Sequence, residues 1–182
     1  MMQYVALLRG IGPSNPNMRG DKLKAFFEGL GFLNVQTVLG SGNVIFQSVS
    51  TNSNSLSEQI EYQLPEKLGF NSVTILRTQS ELQTVLDQNP FKGQEEAHNK
   101  GTYHLITFFK DKPTISFALP HTPDGKPFTI LSKGNNEIYG SINLTSGKTP
   151  DYMTWLERQF GKTITSRTPK TIQLIVNKMN MT

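Results

Sequence analysis

The sequence predicts an α+β protein made of two ferredoxin-like halves, each with the order β-α-β-β-α-β and an antiparallel sheet, plus a connecting helix and a C-terminal helix. Three observations predict this class. Short apolar runs alternate with segments whose apolar residues recur at helical spacing. Glycine-containing turns at 40–42 and 134–136 join pairs of short strands into hairpins. The order of elements is similar in both halves, although no residue-level repeat is evident between them.

Length and composition restrict the class of protein. The chain has 182 residues and no cysteine, which excludes disulfides, thiolate metal sites and a cysteine nucleophile. No apolar segment approaches the roughly 20 residues that cross a bilayer. The apolar run at the start is too short for a secretory signal. We therefore expect a cytoplasmic protein without membrane contact.

The first half, residues 1–77, begins with a strand and a helix. Gln3–Arg9 is an unbroken apolar run, which predicts a strand buried on both faces. Asn17 or Gly20 is expected to cap the helix, and Gly31 is suited to stop it. Its inward residues share helical spacing: Leu23, Phe26, Phe27 and Leu30.

The first half continues with a hairpin, a second helix and a fourth strand. The hairpin strands are predicted at 35–39 and 43–47. Ser55 and Glu58 have the spacing of a capping box, and Pro65 should kink or restart the helix that they open. Val73–Leu76 is the fourth strand.

Residues 78–101 are predicted to connect the halves. Thr78 and Glu81 form a second capping box, and Asn89-Pro90 ends the helix. The polar segment 92–101 is the predicted boundary. The second half, 102–182, is then expected to contain a strand at 103–109, a short helix at 114–119, a hairpin at 128–131 and 137–142, a helix opened by Thr149-Pro150, a strand at 162–166 and a last helix from Thr168-Pro169.

Several of these motifs resemble one bacterial family. The opening strand Tyr4–Ile11 runs into Arg-Gly, the first helix ends in Leu-Gly-Phe, and a Ser-Gly-Asn hairpin begins at Ser41. Arg77 closes the fourth strand, and Asn89-Pro90-Phe91 follows the connecting helix. Together these motifs are similar to the family known as domain of unknown function 1697. The resemblance implies two ferredoxin-like subdomains and no assigned activity; residues 12–15 and 167–171 depart from the family's usual pattern.

One end of the first sheet is the main candidate site. With strands one and two parallel and strand three between them, the end of strand one, the hairpin tip and the start of the first helix share an edge. A helix start offers unpaired N–H donors, glycines permit close backbone approach, and an arginine supplies a planar fork for phosphate or carboxylate. The hypothesis is a small anionic ligand, such as a nucleotide or phosphorylated metabolite. The residues at this edge are Arg9, Gly10, Asn17, Ser41, Gly42 and Asn43. The alternative is that they only shape turns and caps.

Arg167, before the last helix, is a second candidate for the anionic ligand, and the alternative there is a cap beside a solvent-exposed arginine.

Gly10-Ile11-Gly12 lacks the third glycine of a dinucleotide-binding fingerprint. The histidines show no metal-ligand spacing: His98, His104 and His121. No cofactor and no metal site are therefore predicted.

Two further functions stay open. Residues 146–182 hold six basic and two acidic residues, so the basic C-terminal helices, with Lys170 and Lys178, offer a surface for a protein or nucleic-acid partner. Nucleic acid is the less favoured partner, because both faces of the first strand are apolar and leave no exposed aromatic platform. An enzyme site in the cleft between the halves is the other alternative, although no matched pair of titratable groups favours it. The sequence gives no prediction of oligomeric state.

Overall fold

A computed structural model describes residues 1–94, 101–145 and 151–181. The chain divides into two compact units: residues 1–84 with 172–182, and residues 85–171. The elements up to the connecting helix are β1 (Met2–Leu8), α1 (Gly20–Gly29), β2 (Leu33–Val38), β3 (Asn43–Ser48), α2 (Ser53–Leu68), β4 (Thr74–Thr78) and α3 (Gln79–Asp87). The later elements are β5 (Thr102–Phe109), β6 (Phe128–Lys133), β7 (Glu137–Asn143), α4 (Tyr152–Phe160), β8 (Ile164–Arg167) and α5 (Pro169–Met179).

The first unit contains a four-stranded sheet in the order β2-β3-β1-β4, with every neighbouring pair antiparallel. Strand β3 therefore lies between β1 and β2, which run parallel to each other, as predicted. Ala6 of β1 is in register with Val44 on one side and Leu76 on the other. This is the strand order of a ferredoxin-like unit, and it fixes which loops share an edge.

The core of the first unit lies between one face of this sheet and helices α1 and α2. Its sheet residues alternate along the strands, and its helix residues follow the predicted stripes. Residues of the opposite face, such as Val5 and Leu7, are also buried. The prediction that β1 is buried on both faces is therefore confirmed.

The helix ends differ from the predictions at α2. The cap is Asn52, whose side chain accepts a hydrogen bond from Ser55 N at 3.1 Å, so the predicted Ser55–Glu58 capping box is wrong. Asn52 has the extended backbone that a cap requires. The helix does not restart at Pro65, because it continues to Leu68, with Leu64 buried before the proline and Leu68 partly buried after it. Burial of the apolar side of α2 therefore outweighs the low helix propensity of Pro65.

The capping box of α3 is confirmed. Thr78 N donates to Glu81 Oε2 at 2.7 Å, and Glu81 N donates to Thr78 Oγ1 at 3.3 Å. These reciprocal bonds satisfy two of the donors that a helix start leaves unpaired.

The second unit has a sheet in the order β6-β7-β5-β8, again antiparallel throughout. The order matches the first sheet strand for strand.

The predicted helix at 114–119 is wrong, because this segment has no helical structure. Ile115, Phe117 and Leu119 pack against the core, and their spacing of two residues suits an extended chain rather than a helix. Prolines at 113 and 120 also bracket the segment.

The C-terminal helix has the predicted inward residues, all of them buried: Ile172, Ile175, Val176 and Met179. From Ile172 onward it belongs to the first unit. The predicted Thr149-Pro150 cap, His98 and most of the predicted boundary at 92–101 lie outside the described residues. Among the residues that the structure describes, no helix is long and apolar enough to cross a membrane.

Candidate functional site

The end of β1 and the tip of the β2–β3 hairpin lie side by side in the first unit. Leu8 N donates to Gly42 O at 2.8 Å, which joins the two segments through the backbone. The start of α1 also contacts β2, since a Cβ added to Gly20 would lie 3.0 Å from Thr37 Oγ1. We call this group of segments, residues 9–11, 19–22, 37 and 41–43, the first-unit edge.

Arg9 is fixed through its backbone at this edge. Its N–H donates to Val73 O at 3.0 Å, and its carbonyl oxygen accepts a hydrogen bond from Ser72 Oγ at 2.8 Å. Its side chain is half-buried. Gly10 follows in the left-handed region, with φ +73°, and a Cβ there would meet nothing within 4 Å. The chain therefore turns sharply after Arg9 and leaves open space beside the turn.

The hairpin tip is held by its own side chains. Asn43 is only 1% exposed, and its Nδ2 donates to Val38 O and to Ser41 Oγ, both at 2.9 Å. Gly42 has φ +74°, and a Cβ there would clash with Ile11 Cγ1. The glycine is therefore required both by its backbone conformation and by the close approach of Ile11. These contacts fix the shape of the tip and cover one side of it.

Asn17 does not begin α1. It lies in a short 3-10 turn, Pro16–Met18, and its Nδ2 donates to Leu68 O at 3.0 Å, at the C-terminal end of α2. Helix α1 begins at Gly20 with Arg19 as its N-cap residue, so neither of the two predicted caps, Asn17 or Gly20, is the cap. Its N-cap residue Arg19 makes no capping hydrogen bond with its side chain, so the helix start is not closed by its own cap.

Lys178 joins the edge, which the sequence analysis did not predict. Its Nζ donates to Thr37 O at 3.0 Å, and the side chain is half-buried. Thr37 is also the residue against which Gly20 packs. The 141 residues that separate Lys178 from Thr37 in sequence explain why no local pattern signals the contact.

Arg167 belongs to the second unit and not to the first-unit edge. It is 8% exposed, so the alternative of a solvent-exposed arginine is wrong. Its Nη1 donates to Thr165 Oγ1 and to Ser166 O, both at 2.8 Å. Burial lowers the pKa of its guanidinium to about 10.

Arg167 has a counterpart in the first unit, although the sequence analysis found no residue-level repeat. Arg77 is 7% exposed, and its Nη1 donates to Leu76 O at 2.8 Å, the carbonyl of the preceding residue. In each unit a threonine follows the arginine and caps the next helix: Thr171 N donates to Thr168 Oγ1 at 3.2 Å, as Glu81 N does to Thr78 Oγ1. The connection from the last strand to the following helix therefore has the same arginine and threonine contacts in both units.

The second unit holds a buried polar cluster that the sequence analysis also missed. The Tyr139 hydroxyl, which has one proton to donate, lies 2.8 Å from Gln88 Oε1 and 3.1 Å from Glu137 Oε1, both of them acceptors. Burial, together with the nearby Glu137 carboxylate, raises the pKa of the Tyr139 phenol. The ring of His104 stacks on Phe91 at 4.3 Å. In the described part of the chain, no group of three acidic, histidine or cysteine residues is placed to hold a metal ion.

The two sheets of matching strand order define a class, that of α+β proteins with two ferredoxin-like units. The model of the family described as "Protein of unknown function (DUF1697)" matches residues 1–136, and the chain therefore belongs to this family. No curated protein matches the chain. The structure of conserved bacterial protein SP0830 from Streptococcus pneumoniae is similar in fold, with a TM-score of 0.74 and 20% identity over 99% of both chains. At this identity the likeness concerns the fold alone.

Proposed function

We propose that the first-unit edge binds a small anionic ligand, such as a nucleotide or a phosphorylated metabolite, in the cytoplasm. The observation that supports this most strongly is the position of Lys178, whose ammonium contacts Thr37 beside the start of α1. A helix start without a side-chain cap offers N–H donors and a partial positive charge. An adjacent cation adds to the same local potential.

Arg9 is the second cation that we assign to the ligand. Its backbone is fixed by two hydrogen bonds, so its side chain leaves the sheet from a rigid position. The open space beside Gly10 gives an anion room to approach. A guanidinium can present two parallel N–H groups to phosphate or carboxylate.

The hairpin tip has a supporting part in this proposal. The amide of Asn43 is used within the hairpin, and Ile11 covers Gly42. We therefore assign Ser41, Gly42 and Asn43 to positioning the edge, and the direct contacts to Arg9, Lys178 and the first amides of α1.

Isothermal titration calorimetry with inorganic phosphate, AMP, ATP and glucose 6-phosphate tests the proposal. We expect at least one phosphate compound to bind the wild type, and Arg9→Ala to weaken that binding about tenfold, in line with the loss of a charge-assisted hydrogen-bond pair. Lys24→Ala is the matched control, because Lys24 is exposed and forms an ion pair with Glu28 along α1, at 3.7 Å. Equal affinities for wild type and Arg9→Ala, or equal losses in both variants, would contradict the proposal.

A further inference from the structure

One residue of the β2–β3 hairpin tip has a backbone conformation that its side chain opposes. Leu39 has φ +59°, which is the left-handed region. There the Cβ of an L-residue lies too close to the following carbonyl oxygen. Glycine adopts this conformation without that contact, and glycine stands at positions 40 and 42 of the same tip. A leucine at position 39 therefore destabilises the folded backbone where glycine would not.

The packing of Leu39 does not explain its presence. More than half of its surface, 56%, is exposed, whereas the preceding Val38 is 6% exposed. The adjoining surface is open, because a Cβ added to Gly40 would meet nothing within 4 Å. The shape of the tip is fixed by the hydrogen bonds of the Asn43 amide. The tip thus holds a strained apolar side chain in solvent, and such strain is concentrated at ligand-contacting positions of proteins.

Leu39 lies next to the cations that we assign to the anionic ligand. The Lys178 ammonium donates to Thr37 O at 3.0 Å, two residues before Leu39. Two residues of a strand span roughly 7 Å. The other end of the tip is joined to the backbone of Leu8, the residue before Arg9. A molecule whose phosphate is held by these cations would therefore extend to Leu39.

We propose that Leu39 contacts an apolar or aromatic body that is attached to the phosphate of the ligand. The first-unit edge then prefers a phosphate monoester with such a body, for example a nucleoside monophosphate, to a sugar phosphate or to free phosphate. This inference rests on the proposed function and adds the part of the ligand that the cations do not contact. Covering the exposed part of one leucine corresponds to roughly five- to tenfold in affinity.

Isothermal titration calorimetry of the full chain with two matched pairs of phosphates tests the inference. AMP and ribose 5-phosphate share the phosphate and the ribose and differ in the base. Phenyl phosphate and inorganic phosphate differ in the aromatic ring. We expect AMP to bind roughly five- to tenfold more tightly than ribose 5-phosphate, and phenyl phosphate to exceed inorganic phosphate by a similar factor.

Two variants of Leu39 separate ligand contact from packing. Leu39→Gly removes the side chain and the backbone strain together, so it should abolish the preference for AMP over ribose 5-phosphate. The same variant should keep the Tm unchanged or raise it by up to about 4 °C, because the strain is relieved. Leu39→Met keeps an apolar side chain and should retain the preference.

Leu33→Asn is the matched control, because Leu33 is 50% exposed at the other end of β2. It should leave all four affinities unchanged. Equal binding of AMP and ribose 5-phosphate by the wild type, or a preference that Leu39→Gly retains, would overturn the inference and leave the proposed anion site in place. A fall of the Tm in Leu39→Gly would show that the leucine serves packing, and would overturn it as well. If the wild type binds none of the four phosphates, the inference fails together with the proposed function.

Discussion

Replacing Gly42 by alanine separates the two reasons why glycine stands at the hairpin tip. The backbone there has φ +74°, and the left-handed conformation costs an alanine about 1–2 kcal/mol. The new Cβ would also clash with Ile11 Cγ1 and lie 2.9 Å from Ile11 Cβ and 3.0 Å from Leu8 Cβ. Overpacking of this kind typically costs about 1–3 kcal/mol. We therefore expect Gly42→Ala to lower the free energy of unfolding by about 2–5 kcal/mol.

Gly10→Ala is the matched control for this variant. Its φ is +73°, nearly the same, but a Cβ at residue 10 meets nothing within 4 Å. We expect only the backbone cost, about 1–2 kcal/mol. Urea unfolding followed by far-UV circular dichroism, with equal m-values as a check, measures both variants. Ile11→Ala should recover part of the loss in Gly42→Ala and show coupling between the two positions.

Equal losses for Gly42→Ala and Gly10→Ala would refute the steric part of this reasoning. So would a double variant whose loss is the sum of the two single losses, because contacting residues must couple.

Two further predictions concern helix starts and ion pairing. Thr78→Ala and Thr168→Ala should each cost about 1 kcal/mol, because each removes a hydroxyl that caps the following helix, and urea unfolding would measure the two losses; a negligible loss for either would contradict the matched role. Lys126→Met removes the hydrogen bond from Lys126 Nζ to Asp151 Oδ2 (2.7 Å) and should raise the pKa of Asp151 toward its usual value, as followed by carboxyl chemical shifts in an NMR pH titration. Because the pKa of Asp151 is lower in the folded state, the ion pair stabilises the fold at pH values above the unfolded-state pKa, and this stabilisation is lost as the pH falls through the folded-state pKa. An unchanged Asp151 titration in Lys126→Met would count against the ion pair.

Periodicity and turn residues were enough to predict most of the fold. The unbroken apolar run of β1 predicted a strand buried on both faces, and the Thr78–Glu81 spacing predicted the cap of α3; both are confirmed. The predicted helix at 114–119 is wrong, because its three apolar residues, Ile115, Phe117 and Leu119, are two positions apart, which fits the extended chain observed.

The candidate site was only partly accessible to sequence reasoning. Strand order alone brings the end of β1 to the hairpin tip, and the structure has this arrangement. The contact of Lys178 with Thr37 depends on the path of the last helix, which no local pattern encodes. The burial of Arg167 is likewise tertiary, since charged residues at the end of a strand are usually exposed.

Because the two sheets have the same strand order, equivalent positions of the two units can be compared for charge. Phe109 N donates to Asn136 O at 2.9 Å, as Leu8 N does to Gly42 O at 2.8 Å, so β3 and β7 begin at equivalent places. The first residue of β3 is the neutral Asn43, whereas the first residue of β7 is the buried acid Glu137. The same position of the fold therefore holds an amide, Asn43, in the first unit and a carboxylate, Glu137, in the second. The buried carboxylate of the second copy opposes a negatively charged compound, whereas the neutral amide of the first copy does not.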